Sequence, residues 1–286
     1  MRKETRFAQR VAATGAALFA SAPAFAEGAG ETWFSGARHP ASQMMHNILW
    51  FENYTLWYIV PITLFVLALL VWCVVRFNAR ANPVPSRTSH HTLIEVAWTV
   101  VPIIILLFMA LPSFRLLYEQ LEIPEADLTI KATGYQWYWG YEYPDNGGIS
   151  FDAVMLGDDE RTPDQPRLLA VDNEVVVPLG KVVRVQVTAA DVLHSFALPS
   201  FGVKIDAVPG RLNETWFKAE REGLFYGQCS ELCGINHAFM PIAIRVVSEE
   251  AFGKWAEMAK TDLGAATRML QALREQPADP IALAQR

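Results

Sequence analysis

Apolar and polar positions divide the chain into a leader, two long apolar runs, an alternating region and a helical end. Residues 1–26 start with Arg2, Lys3, Arg6 and Arg10, pass through a short apolar run from Val11 to Ala20, and close on Ala24-Phe25-Ala26. A basic start, a short apolar run and a small-x-small end form the pattern of a cleaved signal peptide. The run is too short to span a bilayer. Tyr54–Val75 is a second apolar run with no formal charge, and Leu93–Phe114 is a third, with Glu95 as its one charge. At 1.5 Å per residue each can cross a hydrocarbon core roughly 30 Å thick. Trp50, Trp57 and Tyr58 at one end and Trp72 at the other suit interfacial anchoring. The connection 76–92 carries Arg76, Arg80 and Arg87 and no acid, which places it in the cytoplasm and both flanking segments outside. That orientation agrees with the signal peptide.

From Asp127 the period shortens to two. Residues 127–132, 174–179, 182–187, 215–219, 223–226 and 242–247 read as short strands separated by Gly, Pro, Asn and Asp. The pair flanking Gly180 has the look of a hairpin. Residues 145–167 read as a long surface loop, and 248–273 as a terminal helix followed by a loose tail. The expected architecture is an all-β barrel or sandwich anchored by an N-terminal two-helix transmembrane hairpin. Its parts are a signal at 1–26, an exported segment 27–53, the hairpin 54–114, a β domain 115–250 and a helix with tail 251–286.

Composition fits this division. Apolar residues make up 52% of the 286 and charged residues 19%, below the roughly 25% of soluble proteins, which excludes disorder. The net charge of −6 hides its distribution. Residues 1–114 sum to +3, residues 115–250 to −10 and residues 251–286 to +1. An exported acidic domain argues against nucleic acid and for a basic protein partner. Three cysteines in this length exclude a disulfide-framework miniprotein.

The chemistry concentrates in Cys229-x3-Cys233-x3-His237-x2-Met240, with His194 upstream. Thiolate, imidazole and thioether together favour copper in electron transfer, whereas zinc more often takes four Cys or His. A mononuclear blue-copper site needs one Cys, so the second suggests a binuclear centre. A Cys229–Cys233 disulfide, a core Met240 and a structural His194 remain open alternatives. Cys73, inside the first span, reads as inert packing. Glu95 divides evenly between snorkelling at a helix end and a proton or ion path.

These residues resemble those of subunit II of the bacterial haem–copper cytochrome c oxidases. Cys-Ser-Glu-Leu-Cys-Gly-x-x-His-x-x-Met at 229–240 matches that family's copper A signature, and His194 matches its upstream histidine. The aromatic run Tyr135–Tyr143, Leu93–Thr99 and Gly202–Asn213 are further matches, and the likeness covers roughly 45–248. It implies a cupredoxin-like β domain at the periplasmic face of the inner membrane. Cys229 and Cys233 would be bridging thiolates, His194 and His237 terminal ligands, and Met240 a weak thioether ligand. Glu231 would give its backbone carbonyl to copper and its carboxylate to a magnesium or manganese ion shared with subunit I. Trp137 would be the entry point for electrons from cytochrome c, and Glu95 the mouth of a proton path. Glu142, Asp152, Asp172 and Asp191 would be cytochrome c docking acids. The implied partners are the haem-bearing subunit I, subunit III, cytochrome c and membrane lipid. The alternative is a membrane-anchored periplasmic copper-binding or delivery protein.

Overall fold

The computed structural model describes residues 40–162 and 165–275. The signal expected at 1–26, the start of the 27–53 segment and the tail from 276 lie outside the described residues. Helix α1 spans Gln43–Arg76 and α2 spans Thr92–Leu121. Both outrun the apolar runs that predicted them, so α1 begins, and α2 ends, beyond the bilayer. Pro61, Pro102 and Pro112 sit inside them, as spanning helices tolerate. The two cross-link through Asn47 Nδ2 donating to Glu119 Oε1 at 2.9 Å and Tyr54 OH donating to the Phe108 carbonyl at 3.1 Å.

Ser42 caps α1, accepting from Met45 N at 3.1 Å while its hydroxyl donates to the Phe201 carbonyl at 2.8 Å. Ala41 N donates to Ser200 O, and Glu220 N donates to Ala41 O. Met44 and Met45 are buried. One serine thus starts the helix and fastens it to the β domain, which fixes the domain over the hairpin.

Among the described residues ten strands form that domain: β1 Leu128–Tyr135, β2 Tyr138–Tyr143, β3 Ile149–Ala153, β4 Val175–Pro178, β5 Val182–Ala189, β6 His194–Leu198, β7 Val203–Ala207, β8 Asn213–Lys218, β9 Gly223–Cys229 and β10 Pro241–Val247. They make two five-stranded sheets, ordered β3-β2-β1-β5-β8 and β4-β10-β9-β6-β7. β1 alternates buried and half-buried along its whole length, as does β5. Their inward residues meet Phe196, Leu198 and Ile244 of the other sheet in one core. This is the cupredoxin-like sandwich on a helical hairpin that the resemblance implies.

The hairpin expected about Gly180 does not form. β4 pairs parallel with β10, while β5 pairs parallel with β1 and antiparallel with β8. Gly180, at φ +71°, turns the chain from one sheet to the other. The reason is legible in β4, whose four residues are all buried. A strand with two buried faces belongs inside a layered structure rather than on a hairpin with one wet face. β3 lies within the stretch expected to be a loop. The terminal helix is two, α3 Glu249–Ala259 and α4 Leu263–Glu275, with Asp262 accepting from Ala265 N at 2.9 Å to start the second. Trp255 of α3 is buried against Tyr143, ring centroids 5.2 Å apart.

Candidate metal centre

Three segments converge at one end of the sandwich. β9 ends on Cys229, and the loop that follows returns to β10 through a 3-10 turn at His237–Phe239. Cys229 N donates to the Met240 carbonyl at 3.4 Å, closing the base of this loop. β6 starts on His194, and the β6–β9 register sets Phe196 opposite Cys229. Ser230 N donating to Ser195 O at 3.0 Å ties the loop to β6. The β1–β2 turn then leans on the loop: Gln136 Nε2 and Trp137 Nε1 both donate to the Cys233 carbonyl, at 2.8 and 3.2 Å. Gly234, at φ +121°, leaves room for the indole, since a Cβ there would stand 3.0 Å from Trp137 Cζ2.

The two thiols face each other at 3.8 Å, far beyond a disulfide bond of about 2.05 Å. Cys229 Sγ lies 3.9 Å from His194 Nδ1 and 3.3 Å from the Glu231 carbonyl. Cys233 Sγ lies 3.5 Å from His237 Nδ1 and 3.5 Å from Met240 Sδ. Each sulfur therefore has an imidazole and one further weak donor on its own flank. Among the described residues, His194, Cys229 and Cys233 are a group whose ligand atoms all lie within 4.8 Å of one another. Cys229, Cys233, Met240 and His194 are buried.

Burial opposes ionisation of Cys229, but hydrogen bonds from His194 and the backbone around Glu231 and Ser195 outweigh it and bring the thiol down to about 7. Burial and the adjoining charge of Cys229 push Cys233 up to about 12. Two thiolates side by side are thus unfavourable by themselves, and a metal cation against both removes that repulsion. Two soft sulfurs, two imidazoles and a thioether fit copper and leave no place for a hard cation between them. The site residues fit the metal that the sequence suggested.

His194 is held at its far nitrogen. Its Nε2 stands 2.8 Å from Asp191 Oδ1, which orients the ring so that Nδ1 is the nitrogen facing Cys229. Asp191 also accepts from Gln136 N at 2.7 Å and from Val192 N at 2.6 Å. These bonds keep its carboxyl below its usual range although burial acts the other way.

Two family models, described as cytochrome c oxidase subunit II, transmembrane domain and periplasmic domain, match residues 31–116 and 128–247. A chain named "Cytochrome c oxidase subunit 2" from Cereibacter sphaeroides is 49% identical over 249 residues, 81% of this chain and 81% of its own. The chain belongs to the cytochrome c oxidase subunit II family. A Rickettsia bellii relative, "Probable cytochrome c oxidase subunit 2", is 57% identical over 78% of this chain and 83% of its own. The solved periplasmic domain of subunit II of cytochrome oxidase from Bradyrhizobium japonicum is 69% identical; it covers 49% of this chain and 97% of its own, with a TM-score of 0.46. Family membership sets the protein in the inner membrane with two spans and a periplasmic domain, as part of an oxidoreductase complex, with a copper centre. The copper-delivery alternative finds no support in it.

The remaining candidates are scattered. Glu231 is exposed, apart from its carbonyl beside Cys229. Glu142 and Asp152 lie on the outward face of β2 and β3, and Glu142 pairs with Lys131 at 3.5 Å. Asp172 spends a carboxylate oxygen on Val154 N and Asn173 N, both at 2.8 Å. Glu95 lies at the opposite end of the hairpin, its Oε1 accepting from His91 N at 3.2 Å at the start of α2. Sequence reasoning missed Gln136, whose only signal was its place beside Trp137, and assigned Asp191 to docking without its bond to His194.

Proposed function

We propose that this chain is the electron-entry subunit of a cytochrome c oxidase, holding a binuclear copper A centre on Cys229, Cys233, His194, His237, Met240 and the Glu231 carbonyl. Copper bound there supplies a one-electron relay from reduced cytochrome c to the haem of subunit I, where oxygen is reduced to water with proton pumping. The observation that carries this is the pair of free sulfurs at 3.8 Å, each flanked by its own imidazole. Trp137 joins the outer surface to the centre, because its half-exposed indole donates to the carbonyl of Cys233. Glu142 and Asp152 give the outward sheet face a negative charge for a basic donor, so association weakens as salt rises. Asp172 and Asp191 add to the field of that face while their oxygens bind backbone and His194. The exposed Glu231 carboxylate offers a hard ligand to a magnesium or manganese ion completed by subunit I. Subunit III and lipid complete the surroundings of the hairpin, whose apolar faces are exposed in this chain alone.

Trp137→Ala tests the entry path. Gln136 still holds the Cys233 carbonyl, so copper content and salt-dependent binding of cytochrome c should persist. Electron entry should slow about tenfold or more, about 1.4 kcal/mol on the barrier. Stopped-flow oxidation of cytochrome c measures it; an unchanged rate, or loss of copper, contradicts the role.

Glu95 is the single acid in either apolar run and sits at the cytoplasmic end, which supports a proton path there. Glu95→Ala in the oxidase complex should lower turnover by about tenfold or more. Native turnover and pumping would leave Glu95 only its bond to His91 N.

A further inference from the structure

The imidazole of His194 lies in a slot cut by the β1–β2 ribbon, and two walls of that slot are residues outside the ligand motif. Gly134 of β1 is the floor. A Cβ there would stand 2.8 Å from His194 Cδ2 and 2.9 Å from Cγ, closer than real Cβ atoms approach. Gly134 sits within an ordinary strand, so the ring, and not a turn, is what calls for the missing side chain. Trp139 stands opposite Gly134 in the β1–β2 register and forms the side wall. Its ring meets the imidazole at 6.0 Å between centroids and 61° between planes. Trp139 is itself wholly buried, with Phe196 edge-on at 5.5 Å. Its indole Nε1 donates to the Met240 carbonyl at 3.3 Å. One tryptophan therefore touches a ligand on each flank of the sulfur pair.

We infer that Gly134 and Trp139 are positioning residues for the metal centre, Gly134 by leaving the volume the His194 ring fills, and Trp139 by bracing that ring and the backbone of Met240 together. The inference rests on the copper assignment above. Asp191 fixes which nitrogen of His194 faces Cys229, but one hydrogen bond leaves the ring free to pivot about it. The floor and the side wall remove that pivot. A ligand held before the metal arrives loses less freedom on binding, and groups that orient ligands in this way govern affinity.

Two measurements on the full-length chain in detergent test this. The first needs no metal: thermal melting of Gly134→Ala, His194→Ala and the double variant. Gly134→Ala should lower Tm by several degrees with His194 present and by much less with His194→Ala, where no ring meets the new methyl. An equal loss in both backgrounds overturns the slot. If Gly134→Ala alone does not fold, restored folding in the double variant supports the slot, and continued failure overturns it. The second measurement uses copper. Gly134→Ala should retain copper against a chelator about 10- to 100-fold less well than the native chain, with shifted optical and EPR spectra. Trp139→Phe keeps a ring but loses the N–H, so it should keep its copper and shift the spectra. Gly253→Ala, where a Cβ meets nothing within 4 Å, is the control and should change neither. Native copper retention and spectra in both test variants overturn the assignment. A native chain that binds no copper overturns the copper assignment itself and any positioning role toward metal, while the metal-free melting still reports on the slot.

Discussion

Cys229→Ser should leave a folded chain that holds no copper pair and supports no turnover above background. Cys229 Sγ lies within 4 Å of Cys233 Sγ, His194 Nδ1 and the Glu231 carbonyl, and so stands at the centre of the donor set. A serine oxygen is shorter, harder and not ionised at neutral pH, and it cannot replace a bridging thiolate for copper. The residue is small and buried, so the change in packing is slight. Copper analysis of the purified chain and oxygen uptake with reduced cytochrome c in the assembled oxidase measure the two losses. Cys73→Ser, on an exposed position of α1, provides the comparison and should retain both properties. A Cys229→Ser chain that keeps two copper ions would show that the Cys229 thiolate does not bridge them.

Gly227→Ala should be the most damaging single methyl in the β domain. A Cβ at Gly227 would lie 2.0 Å from the Ala197 carbonyl oxygen. That atom is backbone of β6, which cannot swing away as a side chain would. Gly227 lies two positions before Cys229 on β9, and Ala197 three after His194 on β6. A wedge here therefore separates the two strands that present one thiol and one imidazole. Overpacking of this kind costs about 3 kcal/mol or more, on the order of 10 °C in Tm. Thermal unfolding measures the loss, and chelator competition should show copper retention falling with it. Native melting would mean that β6 and β9 can slide apart without consequence.

The ligand set could be read from sequence because four of its side chains lie within twelve residues of one another, and such soft donors rarely cluster for packing alone. The two spans could be read because a charge-free apolar run has few other uses. The turn at Gly180 could not be read as a change of sheet. Local alternation sets which face of a strand is wet, not which strand lies beside it, and β4 finds β10 far along the chain. β6 escaped notice because all five of its residues are buried, which erases alternation. β3 does alternate, but Asp145, Asn146, Gly147 and Gly148 before it carry the signature of a loop. The walls around His194 are long-range as well. Gly134 and Trp139 gain their meaning only when one sheet closes on the other, and neither bears a metal-binding atom to mark it. Asp191 carried a visible charge, but its role depends on lying across a turn from His194 Nε2.

The decisive measurement is copper stoichiometry together with the EPR spectrum of the full-length chain loaded with copper in detergent. Two copper ions per chain, sharing one unpaired electron across both nuclei and lost when Cys229 and Cys233 are blocked, is the predicted result. A single copper ion with a one-nucleus signal, or copper uptake indifferent to the two thiols, would contradict it.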